Sequence, residues 1–144
     1  MHRDYRLFLD DILAAISKIQ EYTADLDYSA FIKDSKTQDA VVRNLEIIGE
    51  AAWRLPETVR LEAPEIEWRK IVGLRNILAH EYFGVSLPVV WDIVQNKIDS
   101  LESSCRALLK ETFNLKKGIA ANQVHPEKQS EGRRQGKDSD SNSG

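Results

Sequence analysis

Side chains able to move protons or hold a phosphate are scarce in this sequence, and they converge on one run, Arg75-Asn76-Ile77-Leu78-Ala79-His80-Glu81-Tyr82. Of the three histidines, His2 stands at the terminus and His125 in a polar C-terminal segment, which leaves His80. An imidazole titrates near neutral pH and serves as general base or general acid, each transfer contributing ~10²–10⁴-fold. A guanidinium is permanently charged, and its fork matches two phosphate oxygens. Asn76 lies four residues before His80, a spacing that puts both on one helix face, where an amide can fix the tautomer and orientation of the ring. A histidine in the last turn of a helix also interacts favourably with the macrodipole and need do nothing else, so the residues alone leave both roles open. There is no phosphate-cradling glycine loop, no histidine pair at zinc spacing and no serine in a nucleophile elbow. Neither a metal nor a cofactor is expected.

Arg75 sits five residues before His80, which places the two about 140° apart round a regular helix. Either the long arginine curls round the helix, or the two groups meet through a symmetry mate. A two-fold interface sets each run opposite its copy, so the spacing favours a composite site in a homodimer. Gly73 continues the Asn76–His80 face. A mid-helix glycine costs ~1 kcal/mol against alanine, which suggests close approach of another backbone or of a substrate there.

The elements that must hold this run are helices. Tyr5, Phe8, Ile12, Ile16 and Ile19 recur at helical spacing and predict a helix from about Asp4 to Thr23. Ala24 to Ser29 reads as a turn or cap region, Ala30 to Ile32 as a short helical turn, and Lys36 to Leu55 as a second long helix on Val41, Leu45, Ile48, Ala52 and Leu55. Pro56 ends it, because proline lacks a backbone donor and disfavours helix before it. Glu57 to Pro64 reads as a short helix and turn. The third pattern, Glu67 to Glu81, carries Trp68, Ile71, Leu74 and Leu78 on its core side. Ser86 offers an N-cap oxygen before Pro88, and a fourth helix follows to about Phe113 through Val90, Val94, Ile98, Leu101, Cys105 and Leu108. Four amphipathic helices without strand-like alternation predict an all-α antiparallel four-helix bundle. Trp53, Trp68 and Trp91 are assigned to core packing or helix contacts, with ligand stacking the lesser alternative for each. Arg43, Arg69 and Lys70 form a basic rim or remain ordinary solvated charges; Glu46, Glu50 and Glu81 tune the cleft or pair with nearby arginines.

The 144 residues suffice for one core, 1–116, and from Lys117 to Gly144 the mixture of Ser, Gly, Gln, Asp and Lys cannot bury enough apolar surface to offset its ordering entropy; 117–144 is expected to be a disordered tail. No apolar run reaches the ~20 residues of a membrane span, and the N-terminus lacks a signal-peptide pattern. A single cysteine, Cys105, excludes an internal disulfide and fits a buried inert thiol. A reduced cytoplasmic protein is expected. The net charge of −3 leaves only a local basic pocket for any phosphate-bearing partner.

Arg75-Asn76, His80 and Tyr82 together resemble the R-x4-H-x-Y signature of HepT-like proteins in the HEPN superfamily. Val42 to Ala51, Trp68 to Leu74 and Val89-Val90-Trp91 match further, and the resemblance runs from about Asp4 to Leu109. It implies a HEPN four-helix bundle, a homodimer whose two motifs face each other across a cleft, and RNA rather than DNA as the partner. It also implies a toxin–antitoxin pair in which a minimal nucleotidyltransferase antitoxin of the MntA type, sometimes in a larger complex, transfers AMP to Tyr82. On the residues alone Tyr82 is an interface or packing aromatic.

Under that resemblance RNA supplies its own 2′-OH nucleophile, so a metal-independent endonuclease needs a base, an acid and a charge stabiliser. His80 fits acid and base, with two copies able to divide the roles; Arg75 fits phosphate binding, and Asn76 orients His80 or touches substrate. The expected products are a 2′,3′-cyclic phosphate and a 5′-OH. The rival reading is a non-catalytic HEPN module that binds a nucleotide or a partner in the same cleft.

Overall fold

The structure, a computed structural model, describes residues 3–80 and 86–122, with side chains over 3–76 and 86–111. Short acidic caps set where the first helices begin. Asp4 accepts from the Arg6 amide at 3.0 Å and opens α1, Tyr5–Thr23. Asp27 accepts from the Ala30 amide at 2.8 Å and opens α2, Tyr28–Phe31, so helix begins inside the stretch read as a turn. Asp34 accepts from the Thr37 amide at 3.0 Å and from its hydroxyl at 2.6 Å, and opens α3, Ser35–Arg54. These two bonds hold the Asp34 carboxyl below its ordinary pKa. Each such cap satisfies a backbone donor that the first helical turn leaves without a partner.

Leu55 and Pro56 end α3 as expected, and α4, Glu57–Arg60, follows. The turn after α4 is fastened to α5, Trp68–His80, by the Trp68 indole, whose Nε1 donates to the carbonyls of Arg60 and Ala63, both at 3.0 Å. The fourth pattern is two helices rather than one. α6, Leu87–Asn96, gives way at Lys97 to α7, Ile98–Asn122, which runs past the expected end at Phe113. Lys97 keeps a right-handed helical backbone, and its amide still donates to the Ile93 carbonyl, so the register of apolar residues carries across the break. Ser86 stands at the N-cap of α6 without a side-chain cap bond, which leaves Pro88 as the residue favouring that start.

One core joins these elements. Leu9, Ile12, Ile16 and Ile19 of α1 meet Val41, Leu45, Ile48 and Ala52 of α3, with Leu74 of α5, Val90 and Val94 of α6, and Ile98, Leu101, Cys105 and Leu108 of α7. α3 packs along both α1 and α5. Gly49 makes the second contact possible: a Cβ built there would lie 2.6 Å from the Arg75 backbone nitrogen and 3.1 Å from the Ile71 carbonyl oxygen. The close helix approach is at Gly49; at Gly73, where another backbone or a substrate was expected, nothing among the described residues lies within 4 Å of a built Cβ. Burial pushes the Cys105 thiol up to about 12, in keeping with an inert core position.

Trp68 is buried, and Trp91 packs on Phe31 with ring centroids 4.9 Å apart, both as expected. Trp53 departs from the core assignment, with 49% of its surface exposed. Ala51 and Ala52 face the core and Leu55 turns inward again, so Trp53 falls on the outward arc between them. Every element among the described residues is helical, and no described helix is long and apolar enough to cross a membrane. The chain divides after Leu109 into two units. The core lies in the first, and the described residues of the second continue α7.

Candidate active site

α5 carries Arg75 and Asn76 on the side of the helix that faces an open cleft of about 460 Å³. Gly49 fixes the distance of this helix from α3, and the next turn of α3 supplies what Arg75 touches. The Arg75 Nε lies 3.0 Å from Glu50 Oε2, and its guanidinium carbon lies 4.0 Å from the centre of the Trp53 ring. Glu50 is shared: its other oxygen is 3.2 Å from Arg54 Nε, and the Arg54 guanidinium lies 5.5 Å from the same indole. Glu50 and Arg54 are four apart, and Gly49 and Trp53 are four apart, so one short stretch of α3 presents a backbone gap, a carboxylate and a ring to a single arginine.

The charge lining the cleft comes from Arg3, Arg43, Arg54 and Arg75 against Asp11, Glu46 and Glu50. Arg3 pairs with Asp11 at 2.6 Å and Arg43 with Glu46 at 2.6 Å. Among the described residues, four cations against three anions make the lining of this part of a net-acidic chain positive. The pairs are solvent-exposed and worth ~0–1 kcal/mol each, so exchanging a carboxylate for another anion there would cost little. Arg75 is the least exposed of the four, with 28% of its side chain accessible against 45% for Arg3, 52% for Arg54 and 67% for Arg43.

Of the expected site residues, Arg75 and Asn76 come together on the cleft wall, with Asn76 exposed. His80 is the last residue of α5, and the helix is continuous from Arg75 to it, so the angular separation expected from the spacing holds along the backbone. The His80 side chain and the whole of Tyr82 and Glu81 lie outside the described residues. Arg43, Glu46 and Glu50 prove to be ion-paired with neighbours, and Lys70 pairs with Glu67 at 2.9 Å, outside the cleft lining. Arg3 and Arg54 were not singled out by sequence reasoning, and Trp53 was assigned first to packing. The Glu50–Arg54 spacing carried a signal for one of them, whereas Arg3 reaches the cleft only through tertiary packing. No three His, Cys, Asp or Glu side chains among the described residues group to hold a metal ion.

A family model described as "Ribonuclease HepT-like" matches residues 12–108. "Probable ribonuclease HepT" of Thermococcus cleftensis is 42% identical over 76% of this chain and 100% of its own length. "Putative RNase MJ0127" and "Putative RNase MJ1380" of Methanocaldococcus jannaschii are 40% and 41% identical, over 76% and 69% of this chain and 90% and 92% of their own lengths. No solved structure gives a significant match. The matched span takes in α3, α5 and the cleft arginines on them, and the chain belongs to the ribonuclease HepT-like family.

Proposed function

We propose that this chain is the toxin of a toxin–antitoxin pair, an endoribonuclease that cuts cellular RNA without a metal at a site shared by two copies of the chain. Membership of a ribonuclease family and relatives named as ribonucleases support the activity. The observation that carries it to particular atoms is Arg75, turned toward α3 by Glu50 and Trp53 and standing on the wall of an open, locally positive cleft. An arginine drawn toward α3 does not curl along α5 to its own His80, which supports pairing with the His80 of a second copy. The fold in this reading is an antiparallel four-helix bundle of α1, α3, α5 and α6–α7, assembled as a homodimer.

In the reaction Arg75 binds the scissile phosphate and stabilises charge that accumulates on its oxygens. His80 takes the 2′-OH proton as that oxygen attacks phosphorus, and a protonated imidazole hands a proton to the departing 5′-oxygen. The products are a 2′,3′-cyclic phosphate and a 5′-OH. Asn76 orients the imidazole. Control comes from a nucleotidyltransferase antitoxin that transfers AMP to Tyr82, placing bulk and negative charge beside the cleft. The compartment in this reading is the cytoplasm.

Purified protein incubated with bulk tRNA in the presence of chelator tests the proposal. Fragments with the stated ends are expected, and Arg75→Ala and His80→Ala should each lower the rate ~10²-fold or more while the fold is kept. Undiminished cleavage by His80→Ala removes the imidazole from the mechanism. Binding of RNA or nucleotide without any cleavage leaves the non-catalytic module instead.

A further inference from the structure

Trp53 is the large apolar side chain that stands exposed on α3, and none does so among the described side chains of α5. Leaving 49% of an indole in water forgoes hydrophobic stabilisation that any inward position would supply. Its surroundings are charged rather than apolar. Arg75 and Arg54 lie over the ring at 4.0 Å and 5.5 Å, and Glu50 joins the two. The Arg54 and Glu50 side chains are themselves 52% and 42% accessible. The ring is therefore open to solvent with two cations beside it. It is well placed for a molecule that carries an aromatic face and an anion a few ångströms apart.

We propose that Trp53 is a stacking platform for an unpaired base of the RNA substrate, with a backbone phosphate of that nucleotide held by Arg54 and Arg75. The proposal rests on the ribonuclease reading above and adds to it a position for the base. Single-stranded RNA is recognised largely by stacking of splayed bases on aromatic rings beside cationic groups, with little preference among the four bases. In the free protein the indole and Glu50 keep both guanidiniums at the cleft edge. When RNA binds, the base takes the exposed part of the ring, and the phosphate takes over from Glu50. Selection follows for single-stranded segments, because a base in a duplex cannot reach the ring.

The test is direct binding, measured by fluorescence anisotropy, of two labelled oligomers of equal length. One is 2′-O-methyl uridine; the other has the same backbone with abasic positions. Neither offers a 2′-OH, so binding is read independently of cleavage. The wild type should bind the uridine oligomer roughly 5- to 100-fold more tightly than the abasic one. Trp53→Ala should lose that preference while keeping its weak, salt-sensitive affinity for the abasic backbone, and Trp53→Tyr should retain most of the preference. An undiminished preference in Trp53→Ala overturns the platform, as does a wild type without base preference or without binding. A change of oligomeric state in Trp53→Ala, seen by light scattering with equal loss for both oligomers, assigns the ring to a protein interface instead. A Trp53-dependent preference without tRNA cleavage keeps the platform and rejects the ribonuclease; cleavage without the preference does the reverse.

Discussion

Gly49 of α3 and Arg75 of α5 are packed so closely that a Cβ on the glycine would stand 2.6 Å from the arginine's backbone nitrogen. The position of the charge proposed to contact RNA is thus set by a missing side chain on another helix. Gly49→Ala must push the two helices apart. It should destabilise the fold by ~1–3 kcal/mol, the usual range for overpacking, and lower cleavage by more than the loss of folded protein explains. Urea unfolding and rate per folded molecule check the two parts.

Gly73 gives the opposite expectation for stability. A Cβ there meets nothing, so Gly73→Ala should stabilise α5 by ~0.5–1 kcal/mol. If a second copy or RNA comes down on that face, as the composite site requires, the same variant loses activity or dimerisation while its unfolding midpoint rises. A variant that is more stable and fully active places the partner elsewhere.

Glu50→Gln removes the carboxylate shared by Arg54 and Arg75. Exposed pairs contribute little, so stability should change by less than ~1 kcal/mol. The cleft gains one net positive charge, and RNA should bind more tightly with a steeper dependence on salt concentration. The maximal cleavage rate should fall, because a neutral amide oxygen holds Arg75 more weakly than the carboxylate does. Titration of binding against NaCl and saturating kinetics separate the two effects.

Trp68→Phe tests the join between the α4 turn and α5. It leaves the Arg60 and Ala63 carbonyls without the indole donor and should cost ~1–3 kcal/mol, read as an earlier thermal midpoint.

Cys105 supplies a pH dependence. Its thiol is raised from an ordinary 9.0 to about 12 by burial, so the native state prefers the neutral form. The contribution to stability is complete below pH 9 and is lost as pH rises from about 9 toward about 12, where the unfolded chain gains by ionising. Urea midpoints at pH 8 and pH 10.5 should differ more in the wild type than in Cys105→Ala, and a thiol reagent at pH 8 should react only after denaturation.

The helices were legible because apolar residues return every three or four positions and Asp, Pro and polar turns punctuate them. Ile12, Ile16 and Ile19, or Leu45 and Ile48, point inward by periodicity alone. Arg75 and Asn76 were legible as chemistry-bearing types beside a lone histidine. Trp53 was misread because bulk and apolarity argue for burial, and one step of helical phase past Ala52 decides otherwise. Gly73 drew attention over Gly49 because local sequence says where a glycine is costly, not which helix comes to lie beside it. The Lys97 break was hidden because Val94, Ile98 and Leu101 keep their spacing across it. Arg3 is far from Arg43 and Arg75 in the chain, and only packing of α1 on α3 brings it to the same cleft.

The sharing of one site between two chains is tested most directly by mixing two dead variants. Arg75→Ala and His80→Ala, each inactive alone, are unfolded together, refolded and assayed on RNA with chelator. A heterodimer keeps one site with an intact arginine from one chain and an intact histidine from the other, so activity should return to roughly a quarter of wild type. A mixture that forms heterodimers, verified by mass, and stays as inactive as its parents contradicts the account.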